Sequence, residues 1–259
     1  MLANSPIGYA SMTFKSVYHG ETGVRMLREL ARSYLTVVKD LSRVMNRLKA
    51  LYRSWAIPCA GRDVYYTRHR SQWLEKIPEA GTRRRAEQLY QQLDMLQHLR
   101  QQARRELLAE SRKHTITAKL SQIPSLGPIR SALAVALIQT PHLYRSKRQL
   151  WTYSGLGLET RDSGEYHFVK GQVRRRKKQV WIRGLNKDYN HDLKGLFKAA
   201  MRASVLPGPF QDFYQRSLAK GIKPTMVRLT LARKIAAITL TLWKKGENFD
   251  IEKLKSQAA

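Results

Sequence analysis

The residues best suited to chemistry lie between Lys170 and Lys187, where Lys170, Arg174, Arg175, Arg176, Lys177, Lys178, Arg183 and Lys187 occur with no acidic residue among them. A solvated face normally intersperses acids, whereas an uninterrupted cationic strip with Trp181 beside it suits a phosphate backbone. Lys170, Arg174, Arg175, Arg176, Lys177, Lys178 and Arg183 are therefore the expected phosphate contacts. Each phosphate neutralised adds roughly 0.7 to 0.9 to the magnitude of the log–log salt slope, so binding through this strip weakens steeply with salt.

A second segment, Ile123-Pro-Ser-Leu-Gly127-Pro-Ile-Arg130-Ser-Ala132, resembles the hairpin of helix-hairpin-helix nucleic-acid binders, with Ser125 where those motifs usually carry a first glycine. There a glycine turn exposes backbone N–H groups at a helix N-terminus, which hold a phosphate without reading bases. Gly127 and Arg130 are the expected contacts, although a plain buried helix pair accounts for the same residues. A third candidate is Ser163-Gly164 in the polar stretch Leu158-Glu-Thr-Arg161-Asp162-Ser163-Gly164-Glu165-Tyr166. Taken alone a Ser-Gly pair is a turn, and no neighbouring Ser/His/Asp pattern makes it a nucleophile. The seven histidines lack paired ligand spacing, no phosphate-cradling Gly-rich loop occurs, and Cys59 has no cysteine partner. No metal site and no cofactor are expected in this chain. His191 and Asp192 read as a polar helix face.

These residues need elements to hold them, and the periodicity predicts a mainly α fold. Leu27, Leu30, Tyr34, Val38, Leu41, Met45, Leu48, Tyr52 and Trp55 alternate spacings of three and four, a heptad seam ended by Pro58. Residues 82 to 112 repeat the pattern with Ala86, Leu89, Leu93, Leu96, Ala103 and Leu107, interrupted by Arg100. The stretch from Cys59 to Gly81 holds Pro78 and two glycines and can reverse the chain, so an antiparallel coiled-coil hairpin is expected over 23–113. Arg83-Arg84-Arg85 and Arg104-Arg105 read as solvated charge on its faces. Residues 1–22 read as an extended lead-in. Residues 114–259 form the second expected domain: an alanine-rich helix up to Ile138, a short helix at 146–154, a loop or small β-hairpin at 155–173, helices at about 178–203 and 209–220, and a last helix at 224–245.

Forty-eight Lys and Arg oppose nineteen Asp and Glu, a formal charge of +29. Such a surface repels itself unless a polyanion screens it, which favours nucleic acid as partner. The first residues lack the apolar run of a signal peptide, and no apolar stretch reaches the length of a membrane span. A cytoplasmic protein without a membrane partner is expected.

Taken together, Ile123-Pro-Ser-Leu-Gly-Pro, Tyr144-Arg-Ser-Lys147-Arg-Gln-Leu150-Trp-Thr-Tyr153-Ser-Gly155-Leu, Arg161-Asp-Ser163-Gly164, Arg183-Gly184, Leu231-Ala-Arg233-Lys234-Ile235-Ala and Trp243-Lys-Lys-Gly246 resemble, in order, the insertion-sequence transposases of the IS-one-ten family, relatives of the pilin-gene invertase. The resemblance implies a ribonuclease-H-like domain with four metal-binding acids, followed by a domain whose serine attacks DNA. Ser163 is the matching nucleophile. It further implies DNA as substrate, a structured guide RNA from the element, a homo-oligomer paired through the coiled coil, and a place near the bacterial nucleoid. No Asp or Glu precedes Glu21, so the expectation is a truncated copy inactive alone, with residues 1–22 as a remnant and the divalent metal belonging to the missing domain. The rival expectations are a non-catalytic DNA- or RNA-binding module and a coiled-coil scaffold.

Overall fold

The computed structural model describes residues 22–162, 166–169, 171–175, 180–199, 202 and 204–251. The heptad seam becomes α1 (Thr22–Ser54), which ends where Ala56 takes a left-handed φ of 53° just ahead of Pro58. The chain then reverses through two 3-10 turns, Asp63–Tyr65 and Thr67–His69, and the short α2 (Arg70–Glu75). Its return leg is α3 (Ala80–Ser111), whose first amides are capped by the Glu79 carboxylate, accepting from Gly81 N at 2.9 Å and from Thr82 N. Those hydrogen bonds hold the Glu79 carboxyl below the usual carboxylate range. The hairpin tip is closed by Tyr52, whose hydroxyl meets that of Tyr90 at 3.0 Å and whose ring meets Trp73 edge-on at 5.2 Å. Arg70 grips Asp94 with both terminal nitrogens while its guanidinium lies 4.8 Å from the Tyr90 ring.

Two cores result. The tip core joins Leu41, Val44, Leu48 and Leu51 of α1 to Val64, Trp73 and Ile77 of the reversal and Ala86, Leu89 and Leu93 of α3. The second gathers Leu27, Ala31 and Leu107 at the open end of the hairpin with the rest of the chain. At its centre lies α5 (Gly127–Ile138), which follows α4 (Thr115–Ser121). Ser131, Ala132, Ala134 and Ala136 leave room for neighbours on all sides, and α5 packs against α1, α3, α4 and α7. Next come α6 (Lys147–Tyr153), the strands β1 (Leu158–Asp162), β2 (Tyr166–Val169), β3 (Gln172–Arg175) and β4 (Val180–Leu185), then α7 (His191–Ala199), α8 (Pro209–Ala219) and α9 (Pro224–Lys245). Gly246, at φ 64°, ends α9, and the Lys119 ammonium donates to its carbonyl.

The helix expected over 178–203 is a correction. Val180–Leu185 is a strand, and the helix begins only at His191. The start signal is Asn190, whose Oδ1 accepts from Leu193 N at 2.9 Å. Val180-Trp181-Ile182 favours extended chain, and Gly184 carries a φ of 117° that no helix tolerates. Among the described residues no helix is long and apolar enough to cross a membrane.

Candidate nucleic-acid interface

The four strands make an arm of two antiparallel two-stranded ribbons. β1 pairs β4, and between them in chain order β2 pairs β3, with Val169 opposite Gln172 and Gly171 at φ 73° between those two. Directly opposed residues share a face, so Phe168 and Val173 lie side by side, as do Val169 and Gln172 on the reverse. Neither face is covered: Tyr166 is 65 %, Phe168 78 % and Val173 59 % exposed on one, and Val169 is 36 % exposed on the other. Aromatic and aliphatic groups left in water on both faces of a ribbon, with the exposed Arg174 among them, are the properties of a surface awaiting a partner.

A bulge shapes the base of the arm. Glu159 faces Gly184 and Thr160 faces Ile182, which leaves Arg183 as the extra residue. Gly184 has open space around a would-be Cβ but a φ of 117°, so its cost of substitution is backbone strain alone. Gly184→Ala should lose roughly 1–2 kcal/mol of stability, read as weaker hydrogen-exchange protection confined to arm amides.

The arm is rooted firmly. Asn186 N donates to Gly157 O at 3.0 Å and Asn190 N to Tyr153 O at 2.8 Å. The Asn186 side chain donates to Asp188 O at 2.6 Å and Thr152 O at 3.2 Å, while Arg233 Nε of α9 donates to Leu156 O at 2.7 Å. Trp151 Nε1 returns a bond to Arg233 O at 2.9 Å. The motifs around Trp151 and Arg233, 82 positions apart, thus meet beneath the arm. Sequence reasoning assigned them no role. They line a cleft of about 530 Å³ with Lys147, Lys234 and Phe249. Burial pushes the Arg233 guanidinium and the Lys234 ammonium below their usual range, Arg216 adding to the effect on Lys234. The signal available in sequence was the adjacent cations Arg233 and Lys234 set between the apolar pairs Leu231-Ala232 and Ile235-Ala236.

The Gly127 turn has the geometry of a tight helix entry, with Ser125 at φ 74° and Gly127 at φ 56°. No side chain caps the helix there. Arg130 reaches back to Ser125 O at 2.6 Å, so its guanidinium braces the turn. Burial and the Arg202 charge lower its proton affinity. The turn opens onto a cleft of about 650 Å³ between α1, α3 and α7, whereas the arm roots on α6 and α9. Asp192, in the first turn of α7, pairs with Lys39 at 2.7 Å, and the His191 ring lies 4.4 Å from that of Tyr189.

Of the other expected contacts, Arg175 and Arg183 are placed in β3 and β4 by their backbones. Ser163, Lys170, Arg176, Lys177 and Lys178 lie outside the described residues. Among the described residues no three His, Cys, Asp or Glu come together as a metal ion would require. The acidic donor set implied by the family resemblance therefore does not fit the residues placed here.

The family whose model matches this chain covers the arm and the α6 side of its root. Residues 117–215 match the model of the "Transposase IS116/IS110/IS902 family". The insertion element IS116 uncharacterized 44.8 kDa protein of Streptomyces clavuligerus is 29 % identical over 116 residues, covering 44 % of this chain and 26 % of the relative. The matched part thus spans about a quarter of that relative's length.

Proposed function

We propose, from the match of residues 117–215 to the IS116/IS110/IS902 transposase family model, that this chain is the nucleic-acid-engaging part of an insertion-sequence transposase and grips DNA with the β1–β4 arm. The observation that carries the reading is the arm itself. It lies wholly inside the family segment, bares aromatic and aliphatic side chains on a rigid root, and bears the cationic strip. Phosphates would lie along Arg174, Arg175, Arg176, Lys177 and Lys178, with Tyr166 and Phe168 against sugars or unstacked bases. The amides of the Gly127 turn offer a further phosphate site. The element's RNA presents the same phosphates and is the second ligand of this reading.

Ser163, carried over from the family resemblance, is the nucleophile of the reading. Its Oγ forms a bond to a backbone phosphorus as one P–O bond of the phosphodiester breaks. The serine proton is lost and the departing deoxyribose oxygen takes one up, so bond number is conserved and the energy of the phosphodiester is kept in the serine–DNA link.

The test uses end-labelled duplex DNA with this 30.0 kDa chain and a full-length family member, the two proteins' covalent DNA adducts being separated on a denaturing gel. Ser163→Ala should abolish the adduct of the smaller chain, a loss on the order of 10³-fold or more, with duplex affinity unchanged. Equal adduct from parent and variant would remove Ser163 from the chemistry and leave a binding module.

A further inference from the structure

Between its two cores the hairpin is only partly covered. No side chain is buried between Ala31 and Leu41 of α1, nor between Leu93 and Leu107 of α3. Three depressions follow this stretch. The first, about 340 Å³, lies near the tip beside Met45, Tyr65, Tyr66 and Arg100. The middle one, about 330 Å³, is formed by Arg100, Gln101, Arg104, Arg105 and Leu108. The last is the 650 Å³ cleft at the Gly127 turn, floored by Tyr34, Leu35 and Val38. Arg100 and Gln101 belong to the first two, Arg104 and Leu108 to the second and third. The three depressions, together a trough, thus succeed one another along the hairpin from Met45 to Tyr34 of α1, about 16 Å of helix, the middle one lined by α3 alone.

Its charge is one-sided. Arg62, Arg100, Arg104, Arg105 and Arg130 line it, and its one acid, Asp192, is already held by Lys39. Arg100, Arg104 and Arg105 are exposed and make no hydrogen bond or ion pair among the described residues. A second copy of this chain, at +29, is a poor occupant for such a wall.

We propose that this trough binds a single-stranded nucleic-acid segment, with bases on the apolar floor and against Tyr66, and phosphates along the α3 arginines. The proposal rests on the nucleic-acid reading above but places a strand on a second surface, one that ends at the Gly127 turn. Apolar floor, cationic wall and an exposed tyrosine suit bases whose faces are free; a duplex, with its bases stacked inside, would leave the floor unused.

The test is binding of the full chain to oligo-dT and to a duplex of about 30 base pairs over a salt series, with Arg100→Gln, Arg104→Gln and Arg105→Gln combined. Thermal unfolding serves as the check on folding. For oligo-dT the salt slope should fall by about 2, so that between 50 and 200 mM the variant loses about 20-fold less affinity than the parent. Duplex binding should be retained. Parental oligo-dT binding by the triple variant, with duplex binding lost on neutralising the arm, would overturn the trough and leave the arm standing. Failure of the parent on both probes would overturn both readings. Unchanged oligo-dT binding with altered sedimentation would assign the trough to a second copy and also overturn the proposal.

Discussion

Replacing Arg174, Arg175, Arg176, Lys177 and Lys178 together by glutamine lowers the duplex-DNA salt slope by about 4.5 in magnitude. The parent then loses about 500-fold more affinity than the variant between 50 and 200 mM salt. The expectation follows from charge and placement. No acid interrupts the strip from Lys170 to Lys187, Arg174 is exposed on a ribbon with both faces in solvent, and counterion release scales with the number of phosphates neutralised. Folding should be spared, because the arm is held by Gly157, Asn186, Asn190 and Arg233, none of which is touched. A variant with parental slope and affinity would mean that the strip meets only solvent.

The second large effect is Gly155→Ala, which should lower stability by about 2–5 kcal/mol. Gly155 has a φ of 64°, and a Cβ there would lie 2.5 Å from Cγ of Tyr189. The ring has little room to yield, with Lys194 Nζ 3.8 Å from its centroid and the His191 ring at 4.4 Å. Left-handed backbone costs a non-glycine residue roughly 1–2 kcal/mol, and overpacking typically adds another 1–3. At about 2–4 °C per kcal/mol for a domain of this size, the midpoint of thermal unfolding should drop on the order of 5–15 °C. Leu156 and Gly157 follow at once and carry the arm's root, so DNA affinity should fall at fixed salt while the slope, set by the charges, stays. A midpoint within 2 °C of the parent would show that the root accommodates a side chain.

How much of this was legible depended on whether an element buries one face. The seam from Leu27 to Trp55 and the face of the last helix announce themselves at helical spacing because each packs one stripe inward. The arm does so only in part: the alternation of Tyr166 and Phe168 marks a small hairpin, whereas the helix-favouring basic run before Val180 pulls a helix window across a strand only six residues long. Asn190 was readable as a cap and would have moved the helix start to its true place. The family resemblance rested on short motifs in order, and the match over 117–215 agrees with it. What sequence order hides is convergence. Trp151 and Arg233 meet under the arm only because α6 packs on α9. Arg100, which merely interrupts a seam when read along the chain, becomes the wall of a trough once α1 and α3 are set side by side.

The excess charge also gains a geography. On the hairpin several cations are spent on local acids, as in Arg32 with Glu29, Arg43 with Asp40 and Arg84 with Glu87. Such exposed pairs contribute little to stability. Arg100, Arg104 and Arg105 of the trough have no such partner among the described residues, and the strip from Lys170 to Lys187 holds no acid, so on each surface a polyanion can neutralise several cations at once.

The most direct test of the central claim is photo-crosslinking of the full chain to a bromouracil-substituted DNA duplex, with the attached peptides identified by mass spectrometry. The account predicts crosslinks on the peptides of residues 166–187, at Tyr166, Phe168 or Trp181, that disappear as salt is raised. Crosslinks confined to other parts of the chain, or none at low salt, would contradict it.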